Sequence, residues 1–174
     1  MAKHIMVDLE TLSIRTNAVI LSIGAVEFDE NGLGKEFYQN VDAASCKKVG
    51  MHIDPDTVKW WKGQPEAFKR LQVDRVDVRI ATKRFRDTFF STIKEQETTC
   101  IWGNGARFDN AILGNAYFLT DQQPPWKFYN DRCYRTVRSL FNEKIESKDR
   151  VGLHHDALDD AKSQALHLIR MLNE

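Results

Sequence analysis

The sequence predicts an α/β fold: a mixed five-stranded sheet flanked by helices. Three observations carry this. The first forty residues hold three β-rich runs joined by short connections, the hydrophobic period turns helical from Asp54 onward, and two further short strands follow, each leading into a helix. Consecutive strands with short connections form an antiparallel meander, whereas strands separated by helices pair in parallel.

The first strand is read over residues 4–9, the second over 18–28 and the third over 36–41, with Asp29-Glu30-Asn31-Gly32 as the hairpin signal between the last two. Asp54-Pro55 supplies a capping acid and a first-turn proline for a helix over 57–62. Ile80, Phe85, Phe89, Phe90 and Ile93 recur at roughly helical spacing, which predicts one long amphipathic helix over 79–97. Cys100 to Trp102 reads as a strand closed by Gly103-Asn104-Gly105, and 110–119 as a helix. A last strand is expected over 128–131, a short helix over 136–144, and a final helix over 156–172 with Leu158, Ala161, Ala165, Leu168 or Ile169, and Leu172 as its buried stripe. No repeat, low-complexity tract or linker divides the chain, so residues 1–174 are expected to form one domain.

Composition bounds the function. Hydrophobic residues make up 42%, enough for a core, and 25 Lys and Arg balance 25 Asp and Glu, so no whole-protein basic field marks a polyanion coat. Cys46, Cys100 and Cys133 are odd in number and lack metal-ligand spacing, which fits a reduced protein. With no signal-like segment and no apolar run near the ~20 residues of a membrane span, a cytoplasmic location without membrane attachment is expected. A monomer and a homodimer are both compatible with this composition.

The chemistry is concentrated in acids. Asp8 and Glu10 lie one residue apart on an otherwise apolar strand, so period-two alternation puts both on one face. Such a pair is either exposed to water on an edge strand or gathered around a cation, and hard divalent ions need more oxygen ligands than two. Two further acids come with their own settings. Asp109 follows a strand and glycine turn at a helix start, where capping is the alternative, and Asp160 sits on the last helix beside its stripe, with Ala157 and Ala161 small enough to let that helix approach the sheet. Asp159 points elsewhere. His155 precedes that helix, and a neutral imidazole there can take a proton from a water, although a structural role is the commoner one for a lone histidine and is assigned to His154.

Asp8-x-Glu10, Asn104-x-x-x-Phe108-Asp109 and His155-x-Ala157-x-x-Asp160-Ala161 resemble, in order and internal spacing, the three motifs of the DnaQ-like DEDDh 3′–5′ exonucleases, which have an RNase H-like fold. The histidine spacing resembles that branch rather than the one with a tyrosine four residues before the last acid, where Asp156 stands here. The resemblance implies that Asp8, Glu10, Asp109 and Asp160 hold two divalent ions, Mg²⁺ or Mn²⁺, that clamp the attacking and leaving oxygens of an in-line displacement. It implies further that His155 is the general base and that nucleoside 5′-monophosphates leave from a 3′ end. The segment Thr57 to Gln64 is similar to the small stand-alone branch that includes a mycobacterial-type exoribonuclease and related phage exonucleases.

Candidate substrate contacts are Thr11 and Leu12 beside the first acids, Trp61 of the Trp60-Trp61 pair as a base-stacking surface, and Gln64, Asn104, Arg107 and Phe108. One tryptophan of an adjacent helical pair is expected in the core, and Gln64 and Arg107 can equally be plain surface. The neutral charge favours single-stranded 3′ ends over long duplexes, and the resemblance to the small stand-alone branch implies RNA slightly ahead of DNA. Two alternatives stay open: an oligoribonuclease-like enzyme confined to very short RNA, and a non-catalytic module of the same fold that binds nucleotides or 3′ ends.

Overall fold

A computed structural model describes residues 3–142 and 150–173. Five strands form one sheet in the order β3-β2-β1-β4-β5. They are β1 (His4–Thr11), β2 (Ile20–Asp29), β3 (Gly32–Asn40), β4 (Cys100–Gly103) and β5 (Asp131–Cys133). The first three pair antiparallel, while β4 and β5 add in parallel on the other side of β1. This is the mixed sheet expected from the sequence. The hairpin turns at Glu30 and Asn31, where Asp29 Oδ1 accepts from the Asn31 amide at 2.8 Å.

Eight helices complete the described chain: α1 (Ala43–Lys48), α2 (Pro55–Trp61), α3 (Pro65–Arg70), α4 (Val78–Phe89), α5 (Ile93–Thr98), α6 (Asp109–Leu119), α7 (Tyr134–Leu140) and α8 (Ala157–Asn173). The short α1 and α3 are additions to the expected set. Because β1 alternates, Ile5, Val7 and Leu9 face a core built with α4 and α6, which contributes Phe85, Phe89, Ile112 and Tyr117. Met6 faces the other way, against Ala161, Ala165, Leu168 and Met171 of α8.

Several expected boundaries move. The long helix over 79–97 is two helices: Thr92 accepts from the Glu95 amide and Glu95 reaches back to the Thr92 amide, a capping box that restarts the chain. Ile80 and Ile93 are accordingly exposed rather than part of one stripe. Residues 128–130 form a 3₁₀ turn, and the last strand begins only at Asp131. The short helix covers Tyr134–Leu140, and its expected end at Lys144 lies outside the described residues. On α8, Leu168 rather than Ile169 is fully buried, Met171 takes the inward position assigned to Leu172, and Leu172 is exposed.

Candidate active site

The alternation that sends Met6 toward α8 sends Asp8 and Glu10 there too. What brings α8 within reach is Gly24, the β2 partner of Asp8. A Cβ at residue 24 would lie 2.1 Å from the backbone carbon of Ala157, so the first turn of α8 rests directly on β2. Asp156 caps that turn by accepting from the Asp159 amide at 3.1 Å, and Arg70 Nε holds its other oxygen at 2.7 Å. One residue after Asp159, Asp160 meets the strand acids: Asp8, Glu10 and Asp160 each place an oxygen within 4.8 Å of the others.

Asp109 stands just outside that set. It opens α6, and its carboxylate accepts from the Leu9 amide at 3.2 Å and the Gly105 amide at 3.3 Å, which ties it to β1 between Asp8 and Glu10. Gly103 leaves the room for this, since a Cβ there would lie 2.9 Å from the Asp109 Cβ. His155 has left-handed backbone, φ 64°, and its amide donates to Asp160 Oδ2 at 3.0 Å. Its ring meets Trp60 edge-on at 4.9 Å and stacks on His154 at 3.8 Å.

Burial dominates the electrostatics. It pushes Glu10 up to about 8, helped by the charges of Asp160, Asp156 and Asp109. Burial and then Asp109, Glu10 and Asp160 raise Asp8 well above the carboxylate range, against the lowering hydrogen bond from Gln164. Asp109 rises to about 6 by burial, held back by its backbone donors. Asp160 is raised too, chiefly by burial. The facing positive charge is Arg150, whose Nη1 lies 3.2 Å from Asp160 Oδ1. Buried, mutually repelling carboxylate oxygens are the donor set that suits hard divalent cations, so these residues fit the ions that the sequence motifs imply.

A search of family models matches residues 3–172 to the Rv2179c-like domain, a 3′–5′ exoribonuclease domain. The chain belongs to that family. No curated protein sequence matches it. Among solved structures, E. coli exonuclease I in complex with a dA16 oligonucleotide superposes with a TM-score of 0.66 at 14% identity, covering 99% of this chain and 41% of that one. A product-bound exonuclease I gives a TM-score of 0.68 at 15% identity, covering 99% of this chain and 43% of that one. A full-length 3′-exonuclease gives 0.60 at 14%, covering 99% of this chain and 82% of that one. This chain thus spans less than half of the exonuclease I chains it matches, and at these identities the likeness shows the shared fold.

Within this exoribonuclease-family domain, Asp8, Glu10, Asp160 and His155 border a cavity of about 270 Å³, together with Asn104, while Asp109 is not part of its lining. The Asn104 Oδ1 is buried without a hydrogen-bond partner. A second cavity of about 360 Å³ shares Leu9 and Glu10 with the first and is walled by Thr11, Trp60, Trp61 and Phe108. Here the expectation for the tryptophans reverses. Trp61 is 2% exposed, with its indole nitrogen donating to the Thr11 carbonyl at 2.9 Å, so it cannot offer a ring face to a base. Trp60, 45% exposed and against His155, can.

Leu12 packs into the core behind this wall, and Thr11 turns its hydroxyl onto the Ser13 carbonyl at 2.8 Å. Gln64, at the start of α3, and the exposed Arg107 border neither cavity. Asp159 is not simply solvated: it accepts from the Leu153 amide at 2.8 Å and lies 4.0 Å from Arg70 Nη1. Sequence reasoning missed Gln164, whose Nε2 donates to Asp8 Oδ1 at 2.7 Å, and Arg138 and Arg150 at the cavity wall. Gln164 had a signal, since it lies one helical turn beyond Asp160 on the same face. The arginines had none, because α7 and the approach to α8 are set by tertiary packing.

Proposed function

We propose that this chain is a divalent-metal-dependent 3′–5′ exonuclease that removes nucleoside 5′-monophosphates from single-stranded 3′ ends, RNA ahead of DNA. The observation that carries this reading is the convergence of Asp8, Glu10 and Asp160 oxygens within 4.8 Å of one another in the cavity that His155 also lines. The family's description as exoribonuclease domains favours RNA, while the related exonuclease I fold is seen with a dA16 oligonucleotide.

Asp8, Glu10 and Asp160, with Asp109 behind them, would hold the ions, which supply Lewis acidity to the phosphodiester and to the attacking water. His155 accepts the proton of that water. Burial and the neighbouring His154 hold its ring below the usual imidazole range, so it is neutral and receptive at pH 7. Gln164 fixes the Asp8 carboxylate, and the Asp160 carboxylate fixes the His155 backbone. Arg138 and Arg150 line the cavity where the phosphates of the chain would lie, and Trp60 with Phe108 wall the adjoining cavity where a terminal base would stack.

Single-stranded RNA and DNA of two to twenty nucleotides, with Mg²⁺ or Mn²⁺, test this reading against Asp8→Ala. Metal-dependent release of 5′-mononucleotides, lost in the variant and faster on RNA, is expected. A rate that collapses beyond the shortest RNAs would instead identify an enzyme restricted to very short chains, and nucleotide binding without release would identify a binding module.

A further inference from the structure

The cavity that holds the all-oxygen set also presents a second group of donors of different composition. His154, His155 and Asp160 each bring one ligand atom within 4.8 Å of the others. His154 is exposed, and in the reaction proposed above it acts only through its influence on the neighbouring His155 ring. Side chains of adjacent residues diverge on a regular helix or strand. Here the left-handed backbone at His155, φ 64°, instead brings the two rings face to face, 3.8 Å apart at 29°. A non-glycine residue in that region is uncommon.

We propose that His154, His155 and Asp160 form a site for a borderline-soft divalent ion, Zn²⁺ foremost, and that filling it stops the Mg²⁺-dependent reaction. Two imidazole nitrogens and one carboxylate oxygen, open to the cavity for a water, are the donor set of tetrahedral Zn²⁺. Mg²⁺ keeps to oxygen and takes the Asp8, Glu10 and Asp160 set instead. The two sets share Asp160. An ion in the histidine set therefore withdraws one carboxylate from the oxygen set and uses the His155 lone pair that the attacking water needs. The guanidinium of Arg150, 3.2 Å from Asp160 Oδ1, marks this spot as one where Asp160 already faces a cation, and it must give way when the ion enters. Zinc binding follows from the donors alone, whereas its inhibitory effect rests on the exonuclease reading.

The test titrates Zn²⁺ into the metal-free full chain by calorimetry and, separately, into the Mg²⁺-supported nuclease assay, for the native protein, His154→Ala and Glu10→Gln. The site predicts zinc affinity reduced at least about tenfold in His154→Ala and largely kept in Glu10→Gln. It also predicts that, measured against each protein's own Mg²⁺-supported rate without zinc, His154→Ala tolerates Zn²⁺ that halves the native rate. Equal zinc affinity in native protein and His154→Ala, or loss only in Glu10→Gln, would place the ion among the strand acids and overturn the inference. A native protein that binds zinc through His154 but releases no nucleotide with Mg²⁺ would leave the site standing and sink the exonuclease reading.

Discussion

Glu10 shows what it costs to bury a cation site without its cation. Unfolded, its carboxyl titrates near 4.5, and in the folded chain near 8, so between those values the folded state carries the extra proton. Stability must then fall as pH rises through that window, and the raised values of Asp8, Asp109 and Asp160 act in the same direction. Glu10→Gln should therefore raise the metal-free Tm at pH 8 by a few degrees, about 1–3 kcal/mol, and should lose most of the stabilisation that Mg²⁺ gives the native chain. A variant no more stable than native protein at pH 8 in a thermal melt would refute this. The two tryptophans give a second residue-scale prediction. Trp60→Ala should raise KM for an oligonucleotide about tenfold with little change in Tm, as loss of one base stack does, whereas Trp61→Ala should cost about 3–5 kcal/mol of stability. Kinetics beside thermal melts of both variants check it. The acids were legible in the sequence because period two leaves Asp8 and Glu10 only one shared face. The tryptophan choice was misread although Val58 and Trp61, three apart on α2, share the inward face; that phase was the available signal.

At the scale of elements, the site depends on how closely α8 approaches β2. Gly24→Ala would force a Cβ against the backbone of Ala157, where no side-chain rotation relieves it. A loss of about 3 kcal/mol or more, together with weakened metal-dependent activity at temperatures where the variant stays folded, is expected. Ala at position 24 with native Tm and native activity would show that α8 does not set the site. The small residues Ala157 and Ala161 announced this contact in the sequence, but its other half at Gly24 lies 133 positions away and only strand register reveals it. The split between α4 and α5 was written locally as Thr92-x-x-Glu95, yet the continuing apolar spacing through Ile93 masked it. Strand β5 was placed three residues early because Phe128 and Tyr129 look like strand residues, whereas both are exposed in a 3₁₀ turn.

Over the whole molecule, charge balance shapes how a nucleic acid is held. With 25 residues of each sign, affinity must come from the local groups of the two cavities rather than from a general field. If Arg138 and Arg150 are the principal phosphate contacts, the logarithm of affinity for single strands should fall with the logarithm of salt concentration at a slope of about −1.4. Fluorescence anisotropy across a salt series, with Ca²⁺ in place of Mg²⁺, measures it, and a slope beyond about −4 would require many more phosphate contacts than these two arginines supply. The mixed sheet was readable from the order of elements, and the family from the order and spacing of the motifs, whereas the strand order came only with the structure. Arg138 and Arg150 were not, because tertiary packing brings them to the cavity, whereas Gln164 was signalled only by its place one turn beyond Asp160 on α8. Among the described residues no helix is long and apolar enough to cross a membrane. The most direct test of the central claim is a time course on a 5′-labelled single-stranded oligoribonucleotide with Mg²⁺, comparing native protein with Asp8→Asn. The account predicts a ladder shortening one nucleotide at a time from the 3′ end with 5′-monophosphates released, and none in the variant. Internal cleavage, shortening from the 5′ end, or equal products from Asp8→Asn would contradict it.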